Sequence, residues 1–592
     1  MVYRLFNLRK SVLWTSFVCS FFLNSCITTE QIDHRATPES ASHRMEKSVT
    51  KAEHAMIAVA NPHAAQAGLQ ILKAGGNAID AAIAAQLVLN LVEPQSSGIG
   101  GGGFLLIFDP KTKHVTSFDG RETAPNKATG TLFIKPDGQK MGFFEAAVGG
   151  RAVGTPGLLA MLSQAHQKYG RLAWADLFNE AIALSKNGFE ISPRLHSLIE
   201  KDRFLKSDPT ARSYFYTEKG TAKPIGTRLK NPAFAKTLTD IQQNGISAFY
   251  NGALTDQIIH KIHNHPSNPG LLSKTDFSSY IAKERPPVCM EYRIYKVCGM
   301  GPPSSGGVTL LQILGLMEQY ERNHPHPSTI NRTHLLAEAS KLAFADRNSF
   351  LADSDFIPIP TQGLLDSAYL KKRQSLIQPN QSLNTPVAAG NPVLFSQRYA
   401  PDRFDHGLST THMSIVDQTG MVISMTSSIE NAFGSRQMVG GFLLNNQLTD
   451  FSFLPEKDGH QIANQVEGGK RPRSSMAPTL VLNKLTGEPV LAIGSPGGSR
   501  IIGYVAQSVI AILDEDQPLD QALAQGHITN RNGTTDLEKG TEAEKLKDIL
   551  EKLGHHVTFK PMTSGLHAVQ ILENGTLIGA ADPRREGVAL GY

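Results

Sequence analysis

The sequence predicts a layered α/β sandwich, an α+β arrangement whose halves come from distant parts of the chain. Residues 155–350 carry mostly helical periodicity, whereas the residues after a polar segment at 375–408 alternate between apolar and polar side chains. A helical pattern returns at 501–513. With 592 residues, 40% of them hydrophobic, the chain can bury a large core and exceeds one ordinary domain.

Charge and cysteine content exclude two classes of protein. The 58 basic and 53 acidic residues nearly balance, to a net charge of +5, whereas a dedicated nucleic-acid binder carries a clustered basic face. Four cysteines in 592 residues exclude a small disulfide-stapled scaffold. We therefore expect a globular protein with no nucleic-acid partner.

The first 25 residues are predicted to be an export signal rather than part of the fold. A basic stretch at residues 4–10 precedes a mostly apolar run at 11–23, which is short for a membrane-spanning helix. Both features place the protein in the periplasm or outside the cell. The polar residues 26–51 that follow are predicted to be a flexible tether.

The end of this signal leaves two alternatives open. Leu23-Asn-Ser-Cys26 resembles a bacterial lipoprotein processing site, in which Cys26 would be acylated and would anchor the protein to a membrane. Asn24 is not the usual residue at such a site. Ordinary cleavage nearby, which releases a protein without a lipid, is the other alternative.

The start of the folded region reads as helical from residue 52 to 93, with an interruption at Gly75-Gly76 and Asn77 as the next N-cap. A glycine run at 98–103 then precedes a strand at 104–109. The run lacks the Gly-Lys-Ser/Thr ending of a phosphate-binding loop and does not open a helix. It therefore predicts a close backbone approach to a ligand or another strand.

Cys289 and Cys298 lie in a segment that alternates between apolar and polar residues, which is typical of a β-hairpin. A hairpin would bring both ends together. In an oxidising compartment we expect a disulfide between them, with two free thiols in a hairpin core as the alternative.

The common hydrolase motifs are absent and do not identify the catalytic chemistry. The sequence has no G-x-S-x-G, H-E-x-x-H or C-x-x-C, and its 20 histidines lie in uninformative contexts. Thr410 starts a strand after a polar segment, so its hydroxyl could attack the Ser409 carbonyl and cut the Ser409–Thr410 bond by an N→O acyl shift. The new α-amine, with an ordinary pKa of about 7.7–8.0, would then serve as the base. A plain β-favouring Thr-Thr pair explains the same residues.

Six segments in one order resemble those of the bacterial γ-glutamyltranspeptidases, also called glutathione hydrolases. They are DGRETAP (119–125), PPSSGG (302–307), TTHMSIVD (410–417), LLNNQLTDF (443–451), KRPRSSM (470–476) and GSPGGSR (494–500). The resemblance extends from about residue 52 to residue 592.

The resemblance implies an N-terminal-nucleophile hydrolase with a four-layer αββα sandwich and self-cleavage into a large subunit (52–409) and a small one (410–592). Thr410 matches the nucleophile of self-cleavage and of turnover. Ser428 matches a supporting threonine and keeps its hydroxyl. Gly497 and Gly498 match the pair whose N–H groups form an oxyanion hole.

The substrate site implied by the resemblance is a clamp for the zwitterionic end of a γ-glutamyl group. Arg121 would hold the α-carboxylate, with Ser474 and Ser475 as further donors. The matched acceptors for the α-ammonium are Asp450, Gln447 beside it, and Glu430, where many relatives carry Asn. Each of these residues, taken alone, could instead be structural. Arg121 could form an ion pair, Ser474 and Ser475 could cap a turn, and Asp450 could cap a helix. Gly497 and Gly498 could form an ordinary βα corner.

The implied activity is hydrolysis or transfer of the γ-glutamyl group of glutathione and related compounds, with water, amino acids or peptides as acceptors and no cofactor. One departure from the family is a short, Tyr-free loop at 451–462, which predicts an open site. A glutaryl (cephalosporin) acylase and an uncleaved γ-glutamyl-binding lipoprotein are the alternatives. We expect no metal, because the His-rich pieces at 260–265 and 555–556 lie in polar, surface-like segments.

Overall fold

The computed structural model describes residues 44–592, except 325–327, 393–394, 397 and 403–408. The predicted signal at 1–25, with Cys26, lies outside the described residues, as does most of the predicted tether.

The strands of the described chain are β1 (Thr50–Ala52), β2 (Met56–Val59), β3 (Gly102–Asp109), β4 (His114–Gly120), β5 (Phe189–Glu190), β6 (Arg228–Leu229), β7 (Lys283–Arg285), β8 (Val288–Tyr292), β9 (Tyr295–Gly299), β10 (Ser409–Val416), β11 (Val422–Glu430), β12 (Met438–Val439), β13 (Phe442–Leu443), β14 (Glu456–Lys457), β15 (His460–Gln461), β16 (Thr479–Asn483), β17 (Pro489–Gly494), β18 (Ile528–Asn530), β19 (Thr535–Glu538), β20 (Val557–Lys560), β21 (His567–Ile571), β22 (Leu577–Ala581) and β23 (Val588–Gly591).

The helices are α1 (Pro62–Lys73), α2 (Ala78–Val92), α3 (Phe143–Ala147), α4 (Leu158–Tyr169), α5 (Asn179–Asn187), α6 (Pro193–Lys201), α7 (Pro209–Phe215), α8 (Pro232–Asn244), α9 (Ser247–Tyr250), α10 (Ala253–His263), α11 (Lys274–Ser278), α12 (Gly306–Asn323), α13 (Thr329–Phe350), α14 (Thr361–Leu365), α15 (Ser367–Gln374), α16 (Arg500–Leu513), α17 (Leu519–Ala524) and α18 (Lys547–Lys552). Short 3₁₀ turns cover Trp174–Phe178, Leu205–Ser207, Gln447–Asp450 and Glu542–Leu546.

Two seven-stranded sheets form the centre of the fold. The first has the order β23-β2-β10-β11-β3-β4-β7 and the second has the order β1-β22-β21-β17-β16-β9-β8. Neighbouring strands in both sheets run antiparallel. Each sheet mixes strands from before and after residue 410, as expected for a fold whose halves come from distant parts of the chain.

Three apolar layers show that the sheets stack and that helices cover both outer faces. The layer between the sheets contains Met56, Leu106 and Val422 from the first sheet and Leu480 and Val569 from the second. A second layer packs the outer face of the first sheet against helices that include α1, α2 and α4, and a third packs the second sheet against α12, α13 and α16. Alternate side chains of each strand face opposite layers. The four-layer αββα prediction is confirmed.

The helical prediction for residues 52–93 is wrong at one point. Met56–Val59 forms β2, which lies between β23 and β10 and is fully buried. A short, continuously apolar strand has no period that separates it from a buried helix. The predicted helices do follow, and Asn77 caps α2 in a capping box with Asp80.

The glycine run lies where strands and loops approach closely, which confirms that prediction. A Cβ on Gly100 would stand 2.2 Å from the Leu443 carbonyl oxygen, and one on Gly101 would stand 2.2 Å from that of Ser428. Any side chain larger than hydrogen would therefore push apart the backbone that carries Ser428.

The sulfur atoms of Cys289 and Cys298 are bonded to each other across the β8–β9 hairpin, where the two residues are directly paired.

The structure corrects the predicted tether over residues 44–51. Lys47 in this segment donates to the carbonyl oxygens of Asp582, Arg585 and Gly587. Among the helices of the described residues, none is both long and apolar enough to cross a bilayer.

The layer between the sheets supplies a test of the fold. Leu480 is fully buried there, so Leu480→Ala is expected to lower the free energy of unfolding by about 2–5 kcal/mol, through lost burial and an unfilled cavity. Urea unfolding measures the change. The control Leu485→Ala removes the same atoms from a side chain that is 90% exposed and should shift the midpoint little; equal shifts would contradict the assigned layer.

Candidate active site

Thr410 occupies an irregular position at the start of β10. Ser409 pairs with Glu430 and Thr411 pairs with Ser427, so the register shifts between them and leaves Thr410 without a ladder partner. The single residue Thr410 thus stands opposite two residues of β11, Ser428 and Ile429, so the bulge belongs to β11 and interrupts the ladder beside Thr410. The Thr410 side chain lines a cleft of about 440 Å³ while the residue is only 4% exposed.

The Thr410 hydroxyl lies against the peptide bond that precedes it. Its Oγ1 is 2.7 Å from the Ser409 carbonyl oxygen, to which it donates, and 3.2 Å from the Ser428 Oγ. Ser428 donates to the same carbonyl oxygen at 2.7 Å and accepts from the Glu430 N–H. Two hydroxyls therefore converge on the Ser409 carbonyl, where they polarise it.

Gly497 and Gly498 form the corner between β17 and α16. Their φ angles are 131° and 60°, in the region that favours glycine. A Cβ on Gly497 would stand 2.7 Å from Tyr504. Gly498 lines the same cleft as Thr410, and Gly497 adjoins it. The corner therefore places backbone groups at the cleft that Thr410 lines, just before the N-terminus of α16.

Arg121 lies at the end of β4 and is fully buried. Its Nε donates to the Pro472 carbonyl oxygen at 3.1 Å, and its Nη2 donates to the Arg473 carbonyl oxygen and to Asp450. Its Nη1 has no hydrogen-bond partner among the described residues. This nitrogen is itself buried and lies 3.7 Å from the Glu122 carboxylate, so it keeps hydrogen-bonding capacity beside an acid.

Asp450 ends a 3₁₀ turn and shares one carboxylate oxygen between two donors. Its Oδ2 accepts from Arg121 and, at 2.9 Å, from Gln447 Nε2. Gln447 therefore orients Asp450 as well as lining the cleft. The two predicted halves of the clamp thus contact each other directly, which the sequence did not indicate.

Glu430 is an acid held largely out of water. It is 1% exposed, and its φ of 80° turns the chain at the end of β11. One carboxylate oxygen accepts from Asn446 Nδ2, and Oε1 has no partner among the described residues. Burial, followed by the nearby Asp450, raises the pKa of Glu430 well above its ordinary value.

Glu122, next to Arg121, is also buried, and burial raises its pKa to about 8. Its Oε2 lies 3.7 Å from Arg121 Nη1. An acid that is not fully ionised near pH 7 leaves more of the Arg121 charge available to the cleft.

Ser474 and Ser475 form the wall opposite the acids. Ser474 Oγ accepts from the Met476 N–H at 3.1 Å, and Ser475 Oγ accepts from Arg347 Nη2 at 2.6 Å. The predicted site residues thus come together, and the following residues line the cleft: Arg121, Thr410, Ser428, Glu430, Gln447, Asp450, Ser474, Ser475 and Gly498.

Sequence reasoning missed other cleft residues. Arg347, Arg473, Met476, Ser499 and Ile501 also line it. Ser499 and Met476 stand inside or beside recognised motifs, whereas Arg347 lies on α13 and has no local signal. The described residues that line the cleft include no histidine and no residue of the 451–470 segment.

One cluster of metal-ligand type lies elsewhere. The side chains of His334, Glu338 and His555 meet within 4.8 Å and are buried, so the surface prediction for His555 is wrong. His334 and His555 are hydrogen-bonded to each other, and Lys341 donates to Glu338 at 2.6 Å. The Lys341 ammonium thus supplies the cation that the acid would otherwise need.

The stacked sheets, with a buried threonine at the head of a central strand and hydroxyls against the preceding carbonyl, define the N-terminal-nucleophile hydrolase class. The sequence model of the family described as gamma-glutamyltranspeptidase matches residues 64–592. The chain belongs to the γ-glutamyltranspeptidase family.

Known relatives cover nearly the whole chain. It is 36% identical to the glutathione hydrolase proenzyme of Bacillus subtilis over 560 residues, which is 92% of each chain. It is 34% identical to the Escherichia coli glutathione hydrolase proenzyme, again over 92% of each. The solved structure of a cephalosporin acylase from Bacillus halodurans matches with a TM-score of 0.80 and 26% identity, over 94% of this chain and 99% of that one.

The raised pKa of Glu430 predicts a pH-dependent stability difference. The folded state holds the Glu430 proton above the unfolded Glu pKa of about 4.3, so the wild type loses stability relative to Glu430→Gln as pH rises toward the folded pKa. The difference should grow by up to about 1.4 kcal/mol per pH unit. Urea unfolding at pH 5 and pH 8 measures it.

The control for this prediction is Glu456→Gln, on the exposed β14–β15 hairpin. This variant should follow the wild type at both pH values. A Glu430→Gln curve parallel to that of the wild type would show that Glu430 ionises normally.

Proposed function

We propose that this protein is a self-processing γ-glutamyl hydrolase and transferase that acts on glutathione and related γ-glutamyl compounds. The observation that carries the proposal is the pairing of a buried threonine hydroxyl with a cleft of opposed charges. Arg121 lines the cleft and its guanidinium would hold an α-carboxylate, while Asp450 and Glu430 also line the cleft and would accept from an α-ammonium. A γ-glutamyl group carries both charges on one carbon.

Self-cleavage follows from the contacts of Thr410. Attack of Oγ1 on the Ser409 carbonyl carbon forms a tetrahedral oxyanion, which Ser428 already contacts as a donor at 2.7 Å. Collapse breaks the C–N bond and gives an ester, and the proton that Oγ1 loses passes to the Thr410 nitrogen, which leaves as an amine. Water then hydrolyses the ester and leaves two chains, 52–409 and 410–592 in the folded part, as a heterodimer.

Turnover reuses the same hydroxyl. The free Thr410 amine takes the hydroxyl proton, and Oγ1 attacks the γ-carbonyl of the donor to form a γ-glutamyl-threonine ester. The N–H groups of Gly497 and Gly498 stabilise the oxyanion, and the amine returns the proton to the leaving group. Water, an amino acid or a peptide then takes the acyl group.

A glutaryl acylase activity is the second candidate, since the similar solved structure from Bacillus halodurans is that of a cephalosporin acylase. The short loop at 451–462, which predicts an open site, would admit bulky leaving groups. The clamp favours the γ-glutamyl group, however, because a glutaryl group has no ammonium for Asp450 and Glu430. Without the ammonium, the acceptor capacity of Asp450 and Glu430 that Arg121 and Asn446 do not use stays unfilled.

We also propose that the protein is exported to the periplasm or secreted. The signal-like residues 1–25 and the bonded Cys289–Cys298 pair support an oxidising compartment. Acylation of Cys26 would anchor it to a membrane, which mass spectrometry of the mature N-terminus would determine.

Valine substitutions of two neighbouring threonines test the proposed self-cleavage. Thr410→Val removes the nucleophilic hydroxyl at nearly constant volume, so purified protein should run as one full-length band on denaturing electrophoresis. Thr411→Val makes the same change one residue later, at a buried side chain that faces no cleft, and should still give two bands.

A wild type that stays full-length, with no fragments, would instead favour the uncleaved binding lipoprotein. Equal cleavage of the two valine variants would show that the Thr410 hydroxyl does not take part in self-cleavage.

Donor preference is tested with matched anilides. The wild type should hydrolyse L-γ-glutamyl-p-nitroanilide with a kcat/KM about 10–100-fold above that of glutaryl-p-nitroanilide, because a charge-assisted contact contributes about 1.5–3 kcal/mol. Asp450→Asn should shrink this ratio, while Asp240→Asn, at a partly exposed side chain of α8 outside the cleft lining, should leave it unchanged. A ratio below one would establish the acylase candidate.

A further inference from the structure

Arg347 is a buried cation at the cleft that the mechanism above does not use. It lies near the end of α13, is 2% exposed, and lines the cleft beside Ser475. Its Nε donates to Ser305 Oγ at 2.9 Å and its Nη2 donates to Ser475 Oγ at 2.6 Å. One planar guanidinium thus contacts two serine hydroxyls on separate chain segments.

The bond to Ser475 fixes the direction of a proton. A guanidinium can only donate, so Ser475 Oγ must accept and its own O–H must point elsewhere. No described residue accepts that O–H, and the half-buried Ser475 lines the cleft. Its proton is therefore directed at a group inside the cleft that can accept, such as a carboxylate.

The bond to Ser305 fixes the neighbouring backbone. Ser305 Oγ accepts from Arg347 and donates to the Ser474 carbonyl oxygen at 2.6 Å, and the Ser305 N–H donates to the same oxygen at 2.8 Å. Ser304 Oγ donates to the Met476 carbonyl oxygen at 2.6 Å. The 302–307 motif thereby holds the Ser474–Ser475 segment, and Arg347 joins motif and segment.

We propose that Arg347 is a positioning residue for recognition of the donor's terminal carboxylate, because it turns the Ser475 hydroxyl into an obligatory donor toward that group. The inference rests on the proposed function only in that the acyl donor carries this carboxylate. A glutaryl group carries it in the same place, so the inference holds for both candidate activities.

The test compares three anilides in the full, processed protein. γ-Glutamyl- and glutaryl-p-nitroanilide carry the carboxylate, whereas 4-aminobutyryl-p-nitroanilide lacks it. Arg347→Met should raise KM for the carboxylate donors about tenfold or more with kcat changed less than about threefold, since it removes binding that ground state and transition state share. Hydrolysis of the 4-aminobutyryl donor should stay within about twofold of the wild type.

Two further variants separate orientation from charge and from general damage. Arg347→Lys keeps the charge but not the fork that reaches two hydroxyls, so most of the KM defect should remain. If the methionine variant does not fold, this lysine variant carries the same comparison. Arg332→Met, about 22 Å away along the same helix, is the matched control and should leave all three donors unchanged.

A double-mutant cycle tests the assigned contact. Ser475→Ala should raise KM about tenfold in the wild type but less than about threefold in Arg347→Met, because the hydroxyl is no longer oriented there. Equal losses on all three donors, full recovery by lysine, or independent effects in the cycle would each overturn the proposal. A wild type that hydrolyses neither carboxylate donor would overturn the proposed function together with it.

Discussion

The structure depends on the register of one antiparallel pair, β10 with β11. Ser409 is fixed opposite Glu430 and Thr411 opposite Ser427, so the single residue Thr410 stands opposite two residues of β11, Ser428 and Ile429. The same register puts Ser428 within 3.2 Å of the Thr410 hydroxyl and ends the strand at Glu430. One strand pair therefore positions the proposed nucleophile Thr410, the neighbouring hydroxyl of Ser428 and the acid Glu430 at the cleft.

The charges of the cleft are arranged before any substrate enters. Arg121 and Asp450 are paired and hydrogen-bonded, which reduces the cost of burying them, and both line the cleft. The raised pKa of Glu430 follows from the same burial. A zwitterion can contact both the cation and the acids of the cleft, whereas a singly charged ligand can make only one of these two charge-assisted contacts.

The sequence predicted the parts of this site that carry local signals. Motif order identified Thr410, Arg121 and Asp450, and alternation identified the strands after residue 409. The roles of Asn446 and Arg347 were not predicted, because the tertiary fold decides which residues they contact. Ser475, for example, is 128 residues from Arg347. The strand at 56–59 escaped because a strand buried on both faces shows no alternation. His555 escaped because a polar segment gave no sign of its packing against α13.

The two predicted cleavage products are not folding units, and this explains why cleavage can leave the site intact. β10 and β11, from the later segment, pair with β2 and β3 from the earlier one. At the other end, the C-terminal β23 pairs with β2, and Arg585 donates to the Thr410 carbonyl oxygen at 3.3 Å. Breaking one peptide bond at the head of β10 removes none of these ladders. The proposed cleavage would therefore expose the new amine inside a cleft whose walls already hold Thr410, the proposed clamp residues and the glycine corner in place.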